Sequence, residues 1–413
     1  MKKNYFKVSI IAFSLLLSSC YDKDAFSPTE YEGMQPEEVA KVIPVSELST
    51  DQLKVQAYVK KVPVIAHRGT RDYAPEETEA AYRYARYVGA DYLQVELQIT
   101  KDGHIVVFKG DLTTDNSNID DVFLGTKRAS IRLFTLEEVK RLDVGTVPNK
   151  DLSDDYQRKG FEGLTILTLK EVINICEGKL PNGDPDPADQ GNRPGIYIRV
   201  YEPDSNTGSI RKLKEDLTSI GWYNENMENL KPISTITDKV DVANTKGRVI
   251  LATQERNGLE MLETEFHGKV PTAFWLWYTR IDNTIAEEYA EYINFGIDHG
   301  AHFICPNTSD TPENDLLQIW HSNLIRRTHA RIQGYTINSK ANMAKYTHND
   351  LSSDNGNEYE LDYDLTDGFI TDRPDYALYF YGKYYLGEKR TPKPPFADAD
   401  SRDAVFTDLG YEK

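Results

Sequence analysis

The 413-residue sequence has few cysteines and no long apolar run beyond its first twenty residues. Its three cysteines are too few for a disulfide framework. Cys176 and Cys305 fall in stretches with helix or strand character, which predicts buried thiols, although a pairing between them stays open. No Walker loop, Gly-x-Gly-x-x-Gly turn or serine elbow stands at a strand-to-helix junction. These absences exclude a disulfide-stapled domain and give no support to P-loop, dinucleotide-binding or α/β-hydrolase chemistry.

Basic residues are the scarcer charged class. The chain has 48 Lys and Arg against 66 Asp and Glu, a net charge of −18. Such a balance argues against nucleic acid or a broad anionic lipid face as a partner, because the protein surface and these partners repel each other. A small anion in a local basic pocket remains compatible with it. A hydrophobic fraction of 39% is ample for a large folded core.

The N-terminal residues resemble a bacterial lipoprotein signal. Lys2 and Lys3 precede an apolar run from Val8 to Leu17 that is too short to span a membrane as a mature helix, and Leu-Ser-Ser-Cys ends it at Cys20. The pattern predicts cleavage after residues 1–19 and lipidation of Cys20. The protein is then anchored to a bacterial membrane, facing the periplasm or at the cell surface. A plain secretory signal followed by a chance cysteine is the alternative.

Strand-like runs alternate with helical patterns from residue 62 onward. Eight such runs are present, which is the count of a (β/α)8 TIM barrel. They are residues 62–66, 92–99, 195–201, 248–253, 272–278, 302–305, 331–337 and 367–371. We therefore predict an α/β fold: a barrel over residues 62–385, with an insertion after the second strand at residues 110–165 that covers its mouth. A tether with a short helix (20–61) precedes the barrel, and a C-terminal tail (386–413) follows it.

Charged side chains cluster at the predicted carboxyl ends of the strands, where such a barrel has its site. Strand 2 alternates, so that Gln94, Glu96 and Gln98 face inward, and strand 3 aims Arg199 inward beside them. One histidine, two carboxylates and three cations are expected to converge: His67, Glu76, Glu96, Arg68, Lys109 and Arg199. The excess positive charge predicts an anion such as a phosphate ester, bound by arginine. Each of these residues, taken singly, also has a purely structural interpretation. Arg199 and Glu96 can form a buried ion pair, and Lys109 can end a strand and point to solvent.

Four short motifs resemble the opening pattern of the glycerophosphodiester phosphodiesterase family. They are His67-Arg68-Gly69, Pro75-Glu76-Glu77-Thr78, Glu96-Leu97-Gln98 and Thr100-Lys101-Asp102-Gly103. Residues 334–338 (Gly-Tyr-Thr-Ile-Asn) and 367–374 (Asp-Gly-Phe-Ile-Thr-Asp-Arg-Pro) are similar to the family's signatures for strands 7 and 8. The resemblance implies a phospholipase C-like TIM barrel that splits a phosphodiester. It also implies two histidines as general acid and base around a divalent cation held by carboxylates.

Some family roles carry over residue by residue. His67 matches the first catalytic histidine, and Arg68 matches the arginine that faces the phosphate. Glu76 and Glu96 match two carboxylates of the metal site. The resemblance therefore implies the frame of the family's site in this chain.

Three other positions depart from the pattern. Lys109 stands where the second histidine is expected, Gln98 replaces the aspartate of Glu-x-Asp, and Arg199 replaces a metal-binding glutamate of strand 3. A guanidinium about 5 Å from a divalent ion repels it by roughly 6–7 kcal/mol at an effective dielectric near 20. A lysine, with a reference pKa about four units above that of histidine, is also a poor proton shuttle at neutral pH. We expect no bound metal, with calcium or magnesium only if the chain is an active enzyme.

These residues predict a lipid-anchored envelope protein whose barrel binds a phosphodiester or a similar phosphate-bearing ligand. Arg68, Lys109 and Arg199 are expected to bind the anion, and His67 and Lys109 are the candidates for catalysis. Metal-dependent hydrolysis is expected to be weakened or lost. No nucleic acid is expected as a partner, and membrane contact is expected through the lipid anchor alone.

Two alternatives stay open. In the first, the chain is an active glycerophosphodiester phosphodiesterase in which Gln98 ligates a metal through its carbonyl and Lys109 serves as the acid. In the second, it is a glycan-binding or glycan-processing surface lipoprotein that uses aromatic residues such as Trp275 and Trp277.

Overall fold

Eight short parallel strands form the centre of the molecule, at the positions that the sequence predicts. The computed structural model describes residues 31, 33–204, 208–347, 364–383 and 399–413. The strands are β1 (Val64–Ala66), β2 (Tyr92–Ile99), β3 (Gly195–Val200), β4 (Val249–Thr253), β5 (Thr272–Leu276), β6 (Phe303–Pro306), β7 (Arg331–Ile332 and Gly334–Tyr335) and β8 (Phe369–Thr371). The predicted (β/α)8 barrel is confirmed.

The strands pair in chain order and close into a ring. β1 pairs in parallel with β2 and with β8, so the first and last strands meet. The first segment of β7 pairs with β6 and its second segment pairs with β8, with a parallel bridge from Asn307 to Tyr335 between them. All eight strands therefore end on the same side of the barrel, where their carboxyl ends form the mouth.

Helices cover the outside of the barrel. Thr78 accepts the Ala81 N–H to cap the helix Glu79–Val88, and Gly89 ends this helix in the left-handed conformation. The later barrel helices are Leu169–Cys176, Ser209–Ile220, Arg256–Phe266, Ala286–Asp298, Ile319–Arg327, Lys340–Tyr346 and Pro374–Lys383. None of the helices within the described ranges is both long and apolar enough to cross a bilayer.

The two faces of β2 separate as the alternation predicts. Leu93, Val95 and Leu97 are buried in the core between barrel and helices, whereas Glu96 and Gln98 take part in the buried polar network at the mouth. Alternate residues of a strand point to opposite faces, so this placement follows directly from the sequence.

Aromatic side chains fill the barrel interior. The Trp275 indole N–H donates to the Tyr197 hydroxyl at 2.8 Å, and that hydroxyl lies 3.4 Å from Cys305 Sγ. Trp275 is only 3% exposed, so it serves as core rather than as an open platform for a sugar. Cys305 and Cys176 are both free and buried, which confirms the predicted buried thiols.

The chain between β2 and β3 forms the predicted insertion. Strand Ile105–Val107 turns back antiparallel onto β2 and also pairs with Leu167–Thr168. Between them lie a hairpin, three short helices and two 3-10 turns: Leu112–Thr113 with Arg128–Ala129, then Ile119–Val122, Leu136–Val139 and Thr146–Asn149, then Ile131–Leu133 and Lys159–Phe161. The insertion has its own small apolar core and contributes one wall of the cavity at the mouth.

The segment before β1 packs on the barrel from residue 36 onward, so the predicted tether over residues 20–61 is shorter than expected. Helices Pro36–Val42 and Thr50–Gln56 lie there. The Leu48 N–H donates to the Thr328 carbonyl at 2.9 Å, and Gln56 Nε2 donates to the His302 carbonyl at 2.9 Å. The apolar side chains of this segment, although sparse, are buried against the barrel helices. Residues 1–30, including Cys20, lie outside the described part of the chain.

The predicted C-terminal tail also ends in a packed helix. Helix Ala399–Asp408 lies against Glu79–Val88, where Phe406 stacks on Tyr84 with 4.7 Å between ring centroids. Arg402 Nε donates to Asp375 Oδ2 at 2.9 Å. This part of the tail therefore belongs to the folded body, because a buried ion pair and an aromatic core hold it there.

Candidate functional site

The turn after β1 brings His67 and Arg68 to the mouth. Arg68 and Gly69 both have left-handed backbones, with φ of 51° and 91°. A Cβ at Gly69 would lie 2.7 Å from the Ala81 Cβ, so glycine alone fits there. The Arg68 N–H donates to Gln94 Oε1 at 2.9 Å, which ties the turn to β2.

His67 is oriented by the carboxylate that directly follows β8. Its Nδ1 lies 2.7 Å from Asp372 Oδ1, and Asn338 Nδ2 donates to Asp372 Oδ2 at 2.6 Å. With Nδ1–H donated to a carboxylate, Nε2 holds the lone pair. Burial, followed by the charge of Arg68, lowers the pKa of His67. Burial opposes the charge on Asp372, but the contacts with His67, Arg71 and Asn338 outweigh it and lower the Asp372 pKa to about 2. His67 is thus a neutral imidazole positioned by an ionised carboxylate.

Glu96 is fully buried between two arginines. Arg199 Nη1 lies 2.8 Å from each Glu96 carboxylate oxygen, and Arg68 Nε lies 3.5 Å from Oε1. Burial opposes the charge on Glu96, but Arg199 and Arg68 outweigh it, so the pKa of Glu96 is lowered. The Arg199 guanidinium also lies over the Trp275 ring at 5.1 Å. The carboxylate is therefore ionised and already neutralised in place.

Glu76 bridges two arginines and leaves Lys109 without a carboxylate partner. Glu76 Oε2 accepts from Arg68 Nη1 at 2.8 Å and lies 3.1 Å from Arg71 Nε. Lys109 is exposed and forms no hydrogen bond or ion pair with the residues that the structure describes. The charge of Arg68, followed by burial of the ammonium, lowers the pKa of Lys109. Lys109 is thus the cation of the site with a free ammonium.

Glu77 lies beneath the mouth as a second buried carboxyl group. Its Oε1 accepts the Glu96 N–H at 2.6 Å, while Oε2 has no hydrogen-bond partner. Burial, followed by the charge of Glu96, raises the pKa of Glu77 well above its usual value. Gln98 is used differently, since its Nε2 donates to the Phe108 and Gly110 carbonyls, both at 2.7 Å. Gln98 therefore holds the start of the insertion.

This donor set does not fit a divalent cation. The expected metal carboxylates, Glu76 and Glu96, already bind guanidinium groups at 2.8 Å. The Gln98 amide is committed to two backbone carbonyls. Within the described ranges, no three His, Cys, Asp or Glu side chains are arranged to hold a metal. An ion would have to displace arginines that match the carboxylates in charge and geometry.

A cavity of about 740 Å³ opens above these residues. The barrel side of its lining includes Arg71, Glu76, Glu77, Lys109, Asn338 and Asp372, and the insertion side includes Asp115, Asn116, Asp151 and Tyr156. His67, Arg68, Glu96 and Arg199 are not part of this lining. The cavity therefore meets Lys109, Arg71 and the Asp372 carboxylate directly, with the Arg199–Glu96 pair buried below.

The structure brings together every candidate that the sequence singled out at the mouth, and it places Arg199 in a buried ion pair instead of at an open binding surface. Asp372, Asn338 and Arg71 were not singled out for a role at the site. Asn338 and Asp372 lie just beyond the carboxyl ends of β7 and β8, which was an available signal. Arg71 lies in a loop, where nothing in the sequence pattern marks it. The roles of all these residues in binding or chemistry remain predictions.

Comparison with known proteins agrees with the barrel fold. Residues 67–186 match the model of the glycerophosphoryl diester phosphodiesterase family. This part of the chain is therefore similar to the glycerophosphoryl diester phosphodiesterase family. A glycerophosphodiester phosphodiesterase of Caldanaerobacter subterraneus is 44% identical over 119 residues, which are 29% of this chain and 42% of that protein. A putative family member of Bacillus subtilis, YhdW, is 25% identical over 265 residues, covering 58% of this chain and 98% of that protein.

The match to the family is concentrated in the first half of the barrel. The aligned regions cover 42% and 44% of the first two curated relatives. A solved structure of a putative glycerophosphoryl diester phosphodiesterase from Silicibacter pomeroyi has a TM-score of 0.51 at 16% identity, covering 88% of this chain and 99% of that one. This similarity supports the fold of the whole barrel.

Proposed function

We propose that the mouth of this barrel binds a phosphodiester or a similar phosphate-bearing ligand without a divalent metal. Hydrolysis by the metal-dependent route that the family resemblance implies is weakened or lost in this proposal. The single observation that carries it is the Arg199–Glu96 pair, because a guanidinium with 2.8 Å contacts to both oxygens of Glu96 stands where the resemblance implies a metal ligand.

The balance of charge near the mouth favours an anion. Four cations face three ionised carboxylates there: Arg68, Arg71, Lys109 and Arg199 against Glu76, Glu96 and Asp372. Burial, followed by the charge of Glu96, raises the pKa of Glu77 well above its usual value, which opposes a further negative charge there. Apart from the carboxylates of the insertion wall, one positive charge remains, and Lys109 is the cation of this set that has no carboxylate partner among the described residues. A phosphate that contacts Lys109 and Arg71 would neutralise the remaining positive charge.

The insertion wall narrows the class of ligand. Asp115 and Asp151 line the cavity from the insertion, on elements other than those that hold Lys109 and Arg71. A simple phosphate ester would be repelled by these carboxylates. A zwitterionic phosphodiester, with its phosphate at Lys109 and an ammonium group near the acidic wall, satisfies both parts of the cavity.

Calorimetric titration with glycerophosphocholine and with glycerol 3-phosphate, in EDTA, tests this proposal. Lys109→Met is expected to weaken both ligands about tenfold or more, because a charge-assisted contact is worth roughly 1.5–3 kcal/mol. Asp115→Asn with Asp151→Asn is expected to weaken only glycerophosphocholine. Lys150→Met, an exposed lysine of the same insertion outside the cavity lining, is the matched control.

Two results would contradict the proposal. Binding that appears only with calcium or magnesium and disappears in EDTA would restore the metal site. Cleavage of glycerophosphocholine in a metal-dependent way that EDTA stops would show that the family's route is intact.

A second candidate function, residual hydrolysis, is favoured by the His67–Asp372 contact of 2.7 Å. Nε2 of His67 can then take a proton from a water molecule while the oxygen of that water forms a bond to phosphorus. The bond from phosphorus to the leaving alcohol breaks, and the lowered pKa of Lys109 favours its giving a proton to that alcohol. Turnover that survives EDTA and is abolished by His67→Ala would support this candidate. Turnover that survives His67→Ala would exclude it.

We also propose that the chain is anchored through a lipidated Cys20, on the strength of the signal-like residues before it. Full-length protein is expected to enter the detergent phase of Triton X-114, and Cys20→Ala is expected to shift it to the aqueous phase. Equal partition of the two proteins would contradict lipidation.

A further inference from the structure

The most exposed large hydrophobic side chains of the described residues lie close together in the insertion. Leu124 is 90% exposed and Leu133 is 61% exposed. Both belong to the segment of residues 123–136, here called the insertion tip. Single exposed leucines are ordinary on protein surfaces, but two strongly exposed leucines in one short segment mark a candidate contact surface.

Contacts of the neighbouring residues hold the segment that carries the two leucines on a packed base. The Phe123 and Phe134 rings, adjacent to the leucines in sequence, lie 4.8 Å apart, and the Arg141 guanidinium lies over the Phe123 ring at 5.5 Å. The Lys101 N–H donates to the Phe134 carbonyl at 2.8 Å, which ties the tip to the end of β2. The apolar residues are therefore presented by a packed element, not by a free loop.

The charge of the insertion tip is opposite to that of the whole protein. Residues 123–136 contain Lys127, Arg128 and Arg132 and no Asp or Glu, in a chain with a net charge of −18. All three cations are exposed. Arg128 contacts Asp111 at 2.8 Å, and its side chain remains 75% exposed. Asp120, just before the tip, is turned back into the chain, where its Oδ1 accepts the Gly125 N–H at 2.8 Å.

We propose that the insertion tip docks on a membrane surface that contains anionic lipid. Leu124 and Leu133 enter the boundary between headgroups and acyl chains, and Lys127, Arg128 and Arg132 contact lipid phosphates. Salt screens charges beyond about 8 Å at physiological ionic strength, so Lys127, Arg128 and Arg132 attract lipid phosphates at contact more strongly than the distant acidic surface repels them. The exposed carboxylates of Asp121 and Glu137 flank the tip and reduce this attraction. This surface is independent of the ligand proposed for the cavity.

A lipid surface fits the tip better than a second copy of the chain does. Two exposed leucines in a segment with three cations match a deformable interface that carries negative phosphates. A stable protein interface, in contrast, needs about 800 Å² from each partner. The same insertion also lines the cavity through Asp115 and Asn116, just before the helix Ile119–Val122 that leads to the tip. Docking would therefore place the cavity wall close to the lipid.

Co-sedimentation with vesicles tests the docking surface. The full chain with Cys20→Ala, which removes the predicted acylation site, is mixed with vesicles of phosphatidylcholine alone or of phosphatidylcholine and phosphatidylglycerol. We expect binding to the anionic vesicles that falls as salt rises. Leu124→Asp with Leu133→Asp is expected to lower the partition coefficient about tenfold or more, and Lys127→Glu with Arg132→Glu is expected to lower it similarly.

Matched controls separate the tip from the rest of the surface. Val42→Asp changes an apolar side chain that is 57% exposed on another helix, and Lys61→Glu reverses an exposed charge elsewhere. Neither is expected to change partition. A second readout uses Leu124→Cys with an environment-sensitive label, because the Cys176 and Cys305 thiols are buried. Its emission is expected to shift to the blue on anionic vesicles.

Either of two outcomes would overturn the proposal. Equal partition of the tip variants and the Val42→Asp control, with no spectral shift of the label, would show that the tip does not meet lipid. Loss of self-association in sedimentation velocity, with vesicle binding unchanged, would assign the leucines to a contact between copies of the chain.

Discussion

Replacing Arg199 by methionine tests whether the buried ion pair holds the site together. Glu96 is fully buried, and Arg199 Nη1 contacts both of its oxygens at 2.8 Å. Without Arg199, the remaining cation is Arg68, whose Nε lies 3.5 Å away and which already binds Glu76. Breaking a buried pair costs about 3–5 kcal/mol, which agrees with about 4 kcal/mol for unit charges about 4 Å apart at an effective dielectric near 20.

Thermal melting followed by circular dichroism measures this loss. At about 2 °C per kcal/mol for a large domain, Arg199→Met is expected to lower Tm by roughly 6–10 °C. Arg211→Met is the control, because Arg211 is 75% exposed and its contact with Glu265 is 3.5 Å. An exposed pair of this kind contributes about 0–1 kcal/mol. The control is expected to shift Tm by no more than about 2 °C.

Removing both charges should recover stability. Glu96→Gln combined with Arg199→Met leaves no buried ion without a partner, so at least about half of the lost Tm is expected to return. Two results would contradict this reasoning: Arg199→Met melting within about 1 °C of the control, or the double variant being less stable than the single one. Either would show that the ion pair does not contribute about 3–5 kcal/mol to the free energy of unfolding.

Three further changes probe the turn, the histidine–carboxylate contact and the thiols. Gly69→Ala is expected to destabilise the fold by about 2 kcal/mol or more, because φ is 91° and the added Cβ meets a neighbouring Cβ at 2.7 Å. The Asp372 pKa of about 2 lies below its unfolded value, so its contribution of about 2 kcal/mol is present above pH 4 and lost as pH falls toward 2. The Tm difference between the native chain and Asp372→Asn is therefore expected to shrink over that range. Cys176 and Cys305 are expected to react with a thiol reagent only after unfolding, because burial raises both pKa values, that of Cys305 to about 12.

Each of these expectations has a result that contradicts it. Gly103→Ala is the control for the turn, since its φ is 83° with no atom within 4 Å of the added Cβ, and an equal loss in both variants would remove the role of the close contact. A Tm difference that stays constant down to pH 2.5 would show that Asp372 is not ionised by its contacts. Rapid labelling of native protein, with the thiol of Cys20 removed, would contradict the burial of the other two.

The sequence by itself determined the architecture. Each barrel strand is a short run of apolar or alternating residues, and several helices carry their own start or stop signals, as at Thr78 and Gly89. These signals act over a few residues, so they can be read without knowing the tertiary contacts. The replacement of a histidine, an aspartate and a glutamate of the family pattern by Lys109, Gln98 and Arg199 was likewise visible in the chain.

Only the tertiary structure decided how the site residues are used. Arg199 is buried against Glu96, and Asp372 orients His67 from 305 positions away. Lys109 lines the cavity and has no carboxylate partner within the part of the chain that the structure describes. A short helix before β1 was predicted, but the packing of the segments before β1 and after residue 399 on the barrel escaped the sequence pattern. Pairing between residues so distant in the chain depends on ring closure of the barrel, which brings β8 beside β1. A local pattern places residues on a face, but it does not choose their partners across the mouth.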